Sequence, residues 1–225
     1  MSYILCFVRY LISYFKEVVL EVSSSSIHDN IEITVVNGRK VLNSGEANYS
    51  YGTLKDAFYQ LFKEINISNH QVQNVLILGF GGGSVAKVLR KEYYPEAKIT
   101  GFEIDDEVLR LGRKYFKSSS IKNCRLIHHD AYLFDRFCGN QKFDLIIFDV
   151  YIGLNVPEKF EQDDFLITLK AFLNEKGTLI YNRLIHDQKS EESFIHLKEK
   201  MEVIYPGIRV LTLDNIKQNM MFVYQ

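Results

Sequence analysis

One glycine-dense turn constrains this chain more than any other stretch. In LILGFGGGSVAKVL, residues 76–89, a short apolar run ends at Gly79, glycines follow at 81–83, and an amphipathic stretch begins. A strand is being turned sharply into a helix, with side chains cleared from the turn. Glycine lets a backbone take φ > 0 or approach a ligand without a Cβ clash. The helix start beyond it offers unpaired N–H groups. In a doubly wound sheet, ligands sit beyond the carboxyl ends of the strands, at the switch point beside the first strand. The turn at 79–84 occupies that place. A tight strand–helix turn with no ligand is the alternative, because a glycine turn by itself is a weak signal.

The segments on either side of the turn support the doubly wound fold. Residues 53–66 carry Leu54, Ala57, Phe58, Leu61, Phe62 and Ile65 at helical spacing. Strands then alternate with helices: VLILGF, KITGFEI, CRLIHHD, FDLIIFDVY and GTLIYNRL, with helices near 84–92, 105–116, 132–137, 163–173 and 189–201. Apolar strands alternating with helices imply a parallel sheet covered on both faces. GIRVLTL and NMMFVYQ are joined by too few residues for a crossover helix, so they should pair antiparallel. The predicted fold is α/β: a Rossmann-like, mostly parallel sheet with an antiparallel terminal hairpin.

A small β-rich element, residues 1–52, precedes the main domain at 53–225. IEITVVNGRKVL alternates around Asn37-Gly38, a strong hairpin signal because both turn residues must accept φ > 0. Ahead of it, YILCFVRYLISYFKEVVLEV is apolar and aromatic but interrupted by Arg9, Lys16, Glu17 and Glu21. No run approaches the ~20 apolar residues of a membrane span, and the pattern of a signal peptide is missing. A packed helix or strand pair is expected there, with membrane or partner contact as the alternative; an aromatic face of this kind could also form a homodimer.

The net charge is −1 across 225 residues, so nothing argues for a nucleic-acid partner. Cys6, Cys124 and Cys138 are odd in number, far apart and without a CxxC, which fits a reducing cytoplasm and neither a disulfide framework nor a zinc site. His128 and His129 are adjacent on a strand, so they point to opposite faces and share no metal.

Two carboxylates strengthen the ligand reading of the turn. Glu103 ends the second strand, 24 residues after Gly79, where a carboxylate can accept from two ribose hydroxyls. Asp130 ends the third strand in HHDAY. It can accept from an exocyclic adenine amine while the Ala131 N–H reaches a ring nitrogen. Capping the helix at 131–137 is a compatible role for Asp130.

These residues, in this order and spacing, resemble the spermidine synthase-like branch of the class I S-adenosylmethionine-dependent methyltransferase fold. The resemblance covers about residues 27–185 and rests on IEITVVNGRKVL, ANYSYGTL, LILGFGGGS, FEIDDEVL, HHDAYLF and FDLIIFDVY. Members of that branch transfer an aminopropyl group from decarboxylated S-adenosylmethionine to putrescine. The resemblance implies that Gly79, Gly81 and Gly83 form the cofactor turn, that Glu103 binds ribose, and that Asp130 with Ala131 binds adenine. It makes Asp149 the acid that binds and orients the amine, and Tyr51 the tyrosine supplied by the N-terminal segment.

The departures concern the polyamine half of the site. The family's turn reads GGGDGG, and its Asp holds the amino group of the aminopropyl chain; here that position is Gly82. The family's D-x-x-D is DVYI here, with Ile152 as the second residue of the pair, and Gly52 stands where a polar residue follows the tyrosine. Putrescine and the cofactor together bring several positive charges, whose approach costs several kcal/mol without carboxylates. Glu158, Glu161, Asp163 and Asp164 could refill an acidic pocket, or form a solvated helix start.

The shared chemistry is in-line displacement at a carbon bonded to sulfur, with the acceptor held within about 3–3.5 Å of it. Asp149 is the candidate to orient the acceptor or take its proton. Tyr151 and Tyr51 could wall a cationic site, or serve as core aromatics in a chain with 16 Phe and 14 Tyr. Asn182, Arg183 and His186 are weaker candidates, and Arg183 would suit an acidic acceptor. The leading expectation is a transferase for S-adenosylmethionine or its decarboxylated form, acting on a small-molecule acceptor such as an amine, with methyl transfer favoured. A working polyamine aminopropyltransferase, a non-catalytic nucleoside-binding module and an NAD-dependent oxidoreductase are the alternatives.

Overall fold

The computed structural model describes residues 3–44, 47–50, 53–69, 71–213 and 216–225. Helix α1 (Tyr3–Ile12) leads into strands β1 (Val18–Ser23), β2 (Ile31–Val36), β3 (Arg39–Ser44) and β4 (Ala47–Ser50). These four strands pair antiparallel in the order β1-β2-β3-β4. The β2–β3 hairpin closes on Asn37 (φ 50°) and Gly38 (φ 72°), as the Asn-Gly pair predicts. The end of α1 clasps that turn: Ser13 accepts the Asn37 N–H on its carbonyl at 2.8 Å and the Gly38 N–H on its hydroxyl at 2.9 Å. Phe7, Leu11, Tyr14 and Phe15 remain exposed around it.

The main sheet has seven strands. After α2 (Thr53–Glu64) come β5 (Asn74–Leu78), α3 (Ser84–Val88), β6 (Lys98–Glu103), α4 (Asp106–Phe116) and β7 (Cys124–His128). Then follow α5 (Phe134–Cys138), β8 (Phe143–Phe148), α6 (Asp163–Ala171), β9 (Leu173–Leu184), α7 (Gln188–Ile204), β10 (Arg209–Leu213) and β11 (Ile216–Tyr224). The strand order is β10-β11-β9-β8-β5-β6-β7. β7, β6, β5, β8 and β9 run parallel, and β11 is inserted antiparallel between β9 and β10. This is the predicted α/β class with its antiparallel terminal pair. The expected division between residues 52 and 53 falls at the edge of the described residues.

Period-two alternation covers both faces of the sheet. Val75, Ile77, Leu145 and Ile147 pack under Phe58, Leu61 and Phe62 of α2. Leu76, Leu78, Ile146 and Phe148 face the opposite way, against Phe134, Phe165 and Leu169. The N-terminal sheet lies on α4: Ile31, Ile33 and Leu42 pack against Val108, Leu111 and Phe116. Polar contacts join the same pair of elements, because Glu21 of β1 accepts from Arg110 and Lys114 of α4 at 2.5 Å each. Among the described residues no helix is long and apolar enough to cross a membrane, and no cluster of His, Cys, Asp and Glu could hold a metal.

Two elements differ from the predicted bounds. The helix after the glycine turn is α-helical only to Val88 and continues as a π-helical turn over Leu89–Tyr93. Arg90 reaches across it to the carbonyls of Tyr94 (3.1 Å), Ala97 (2.5 Å) and Lys122 (2.6 Å). β9 begins at Leu173 rather than 177, because Phe143 of β8 pairs with Leu173 beyond a register shift.

Candidate active site

The glycine turn is built by close backbone approach. Gly79 has φ 85°, and a Cβ there would lie 2.2 Å from the carbonyl oxygen of Asp149. Gly79 and Phe80 donate their N–H groups to the Phe102 carbonyl at 3.1 and 2.8 Å. Gly81 takes φ 53° and Gly83 φ 80°. The Phe80 ring folds beneath the turn, where a Cβ on Gly101 would approach it to 2.3 Å and one on Gly83 to 2.9 Å. Gly101 is a supporting residue that the motifs do not mark. Its one signal is that of an isolated glycine inside a strand, which indicates close approach.

Glu103, at the end of β6, is buried and turned toward this turn. Its Oε2 accepts the Gly81 N–H at 2.7 Å, and its Oε1 accepts from Ile104 and Asp105 at 3.0 and 3.1 Å. A carboxylate offers about four acceptor positions, so roughly one remains, on Oε2. Burial raises the Glu103 pKa against the pull of these N–H groups, with the Asp105 charge adding to the rise.

Asp105 ties the N-terminal element to this corner. Its Oδ1 caps α4 through the N–H groups of Glu107 (2.9 Å) and Val108 (3.2 Å). Its Oδ2 meets the Ser25 hydroxyl at 2.5 Å and His28 Nδ1 at 2.8 Å. Burial pushes its pKa up, but the bonds from His28, Ser25 and the two amides outweigh that, and it lies below the ordinary value. Neither Asp105 nor His28 stands out in the sequence. FEIDD does show a capping acid at the right offset, whereas nothing local links it to a histidine 77 residues earlier.

Asp130 sits at the end of β7 and caps the 3₁₀ turn Ala131–Leu133, accepting the Tyr132 N–H at 2.9 Å. Its other oxygen is paired with Lys159, from the segment after β8, whose ammonium also lies over the Tyr132 ring. Ala131 is buried beside it. The two histidines go separate ways: His128 Nε2 lies 3.0 Å from the Ile104 carbonyl, and the His129 ring packs on Phe137.

Asp149 follows β8 and receives the Asn182 side-chain N–H at 2.8 Å on Oδ1. Burial pushes its pKa up to about 6, with the Glu103 charge adding to that and the Asn182 bond opposing it. Tyr151 is half-buried and packs with the aromatic cluster around Phe148 and Tyr181. Burial and the Asp149 charge raise its pKa far above the ordinary tyrosine value. Ile152 forms a small bridge with Asn155 and is exposed. Tyr51 and Gly52 lie outside the described residues.

Three of the four acids downstream of Asp149 are already engaged, and the fourth, Glu158, is an exposed residue of the 3₁₀ turn Glu158–Glu161. Glu161 is paired with buried Arg183, Nε to Oε1 at 2.7 Å, and accepts the Ser193 hydroxyl at 2.9 Å. Asp163 meets Lys200 at 3.3 Å, and Asp164 accepts from the Tyr132 hydroxyl at 3.1 Å. Arg183 is thus neutralised inside the protein. His186 Nε2 lies 3.2 Å from Asn155 Oδ1, at the rim.

The structure therefore gathers the glycine turn, Glu103, Asp130 and Asp149 at the carboxyl ends of four adjacent parallel strands, the place where doubly wound sheets take ligands. A family model described as a methyltransferase domain matches residues 69–220. A polyamine aminopropyltransferase of Vibrio vulnificus (strain CMCP6) is 34% identical over 116 residues, covering 51% of this chain and 38% of that protein. An eEF1A lysine and N-terminal methyltransferase homolog of Drosophila pseudoobscura pseudoobscura is 25% identical over 196 residues, covering 83% of this chain and 28% of that protein. This chain thus spans well under half the length of either relative. Human methyltransferase-like protein 13, solved in complex with SAH, superposes with a TM-score of 0.63 at 20% identity, covering 78% of this chain and 82% of that one. With its matched region spanning β5 to β11, this chain belongs to the methyltransferase domain family.

Proposed function

We propose that this chain binds S-adenosylmethionine and transfers its methyl group to a small acceptor bearing a single amine. The observation that carries this reading is that the acids expected to accompany Asp149 on the acceptor side are missing or paired. The family positions that would hold further ammonium groups are Gly82 and Ile152, and Glu161, Asp163 and Asp164 are each engaged elsewhere. One carboxylate suits one amine. A diamine together with an aminopropyl cofactor brings more positive charge than a single buried acid offsets.

The residues divide the work along the strand ends. The open position on Glu103 Oε2 takes a ribose hydroxyl, and Asp130 and the Ala131 N–H take the adenine edge. Gly81 and Gly83 keep side chains out of the path of the methionine chain. A bound adenosyl sulfonium supplies a carbon activated for displacement. Asp149 orients the amine and accepts the proton it must shed, and a pKa of about 6 keeps it mostly ionised at neutral pH while letting it hold a proton transiently. The face of Tyr151 borders the cationic centre.

The reading is tested by incubating the protein with S-adenosylmethionine or decarboxylated S-adenosylmethionine, each with a panel of monoamines, lysine peptides and putrescine. Methylated product from a monoamine supports it, and methylation of the lysine peptides alone would overturn the small-acceptor part while keeping methyl transfer. Spermidine formed from putrescine would overturn it in favour of aminopropyl transfer, the second reading, which the Vibrio relative's name favours. Tight nucleoside binding with no product from any acceptor would point to a binding module.

A further inference from the structure

The inserted antiparallel strand does more than extend the sheet. Because β11 runs against β9, its beginning lies at the edge where β8 and β9 end. Asn219 there pairs with Leu184, and Met221 pairs with Asn182. Asn219 Nδ2 donates to Asn182 Oδ1 at 2.9 Å, and Asn182 Nδ2 donates to Asp149 Oδ1 at 2.8 Å. Asn182 is fully buried and Asn219 is 5% exposed.

The direction of this chain of bonds is dictated from one end. An ionised carboxylate only accepts, so Asn182 must turn its NH₂ toward Asp149. Its carbonyl then faces Asn219, which must present its own NH₂. Without Asn219, the Asn182 amide could rotate by half a turn and set its oxygen against the carboxylate. Polar groups this deep would cost stability if they were mere filling, and a fully satisfied network specifies one arrangement.

We propose that Asn219 is a positioning residue for Asp149: acting through Asn182, it fixes Oδ1 as the anchored oxygen and leaves Oδ2 to meet the acceptor. This rests on the reading of Asp149 given above. The other groups that bear on Asp149 are Glu103 from β6 and Tyr151 from the segment after β8, with Arg183 of β9 acting on Tyr151. The Asn182 bond acts on Asp149 against burial and the Glu103 charge, so the relay bears directly on Oδ1.

The test is a carboxyl carbon NMR titration of Asp149 in the full chain, assigned by the loss of its signal in Asp149→Asn. In Asn219→Asp the new side chain, once ionised, accepts only, so it draws the Asn182 NH₂ away from Asp149. The midpoint of Asp149 should rise by about one pH unit. In Asn219→Leu it should rise by less, and the Asn182 NH₂ signals should broaden. In the parent protein, the Asn219 side-chain nitrogen should shift with the same midpoint as Asp149, a readout that needs no variant to fold. A midpoint in folded Asn219→Asp that matches the parent's, or an Asn219 nitrogen indifferent to the Asp149 titration, would overturn the proposal. These signals report protonation and not turnover. Failure of every acceptor assay would sink the transfer reading while leaving the relay intact. Where transfer is observed, the acid limb of its pH profile should move with the Asp149 midpoint in Asn219→Asp.

Discussion

Glu103 Oε2 accepts the peptide N–H of Gly81 at 2.7 Å, which makes the acid at the end of β6 and the glycine turn after β5 one structural unit. Glu103→Ala would strand three N–H groups, those of Gly81, Ile104 and Asp105. Leaving a buried donor unpaired costs about 1–3 kcal/mol, and loss of the charge relieves only part of that. We expect a lower denaturation midpoint together with a loss of S-adenosylmethionine affinity of at least about tenfold, worth about 1.4 kcal/mol. Chemical denaturation and calorimetric titration read the two effects. Weakened binding at unchanged stability would show that Glu103 meets the ligand without holding the turn.

Gly79 and Gly139 both have positive φ, at 85° and 57°, but they differ in surroundings. A Cβ on Gly79 would lie 2.2 Å from the Asp149 carbonyl oxygen, whereas one on Gly139 meets nothing within 4 Å. Gly139 pairs its φ of 57° with ψ −126°, a region that favours glycine, so Gly139→Ala should cost about 1–3 kcal/mol for its backbone conformation alone. Gly79→Ala must also push β8 away from β5, and should cost about 3 kcal/mol or more. Paired urea melts decide this, and equal losses would mean the close approach at Gly79 relaxes freely.

Asp149 sets a pH dependence of opposite sign for stability and for activity. Its folded pKa of about 6 lies above the ordinary carboxylate value, so the folded state holds the proton more tightly than the unfolded chain. Its stabilising contribution is complete below the unfolded pKa of about 4 and is lost as pH rises through about 6. Asp149→Asn should then be more stable than the parent at about pH 8 by on the order of 1–2 kcal/mol, with the difference vanishing near pH ~4. Transfer should be abolished in the same variant, while in the parent it rises with pH through about 6. Thermal melts at the two pH values, with an acceptor assay, check all three.

The sheet was legible because its strands are apolar and its helices periodic; Val75 and Ile77 against Leu76 and Leu78 show how alternation alone assigns two faces. The first acids were legible for the same reason, since Glu103, Asp130 and Asp149 each lie at or just past the end of a strand. What escaped was every partner fixed by tertiary contact. Lys159 comes to Asp130, Arg183 to Glu161 and Asn219 to Asn182 across gaps that carry no local pattern. The early start of β9 was hidden because Asn174, Glu175 and Lys176 are polar, and only pairing with β8 extends the strand over them.

Asp105 should behave as the joint between the N-terminal sheet and α4. Asp105→Ala removes a helix cap, worth about 1 kcal/mol, and leaves the Ser25 and His28 donors facing a gap at about 1–3 kcal/mol. We expect a total loss of about 2–4 kcal/mol by denaturation. The parent's own pH response follows from the lowered Asp105 pKa. The stability it contributes is present above the unfolded value of about 4 and is lost as pH falls through the folded one. Asp105→Ala should accordingly flatten the parent's acid unfolding limb. An unchanged limb would assign that acid sensitivity to other carboxylates.

The Arg183–Glu161 pair separates a structural charge from one held ready for a ligand. Both side chains are largely buried, at 4% and 12% exposure, and they face each other at 2.7 Å. Removing one partner from such a pair leaves an uncompensated charge and costs about 3–5 kcal/mol, whereas replacing both with apolar groups of similar volume is often close to neutral. Glu161→Leu alone should therefore destabilise strongly, and Glu161→Leu combined with Arg183→Met should recover most of that loss. If Glu161 instead served the amine, the double variant would fold yet lose acceptor affinity; if Arg183 served an acidic acceptor, it would lose that activity as well. Our expectation is a large favourable coupling in the double-mutant cycle, with S-adenosylmethionine affinity and the acceptor KM retained. That outcome would leave Asp149 as the acid that the acceptor meets.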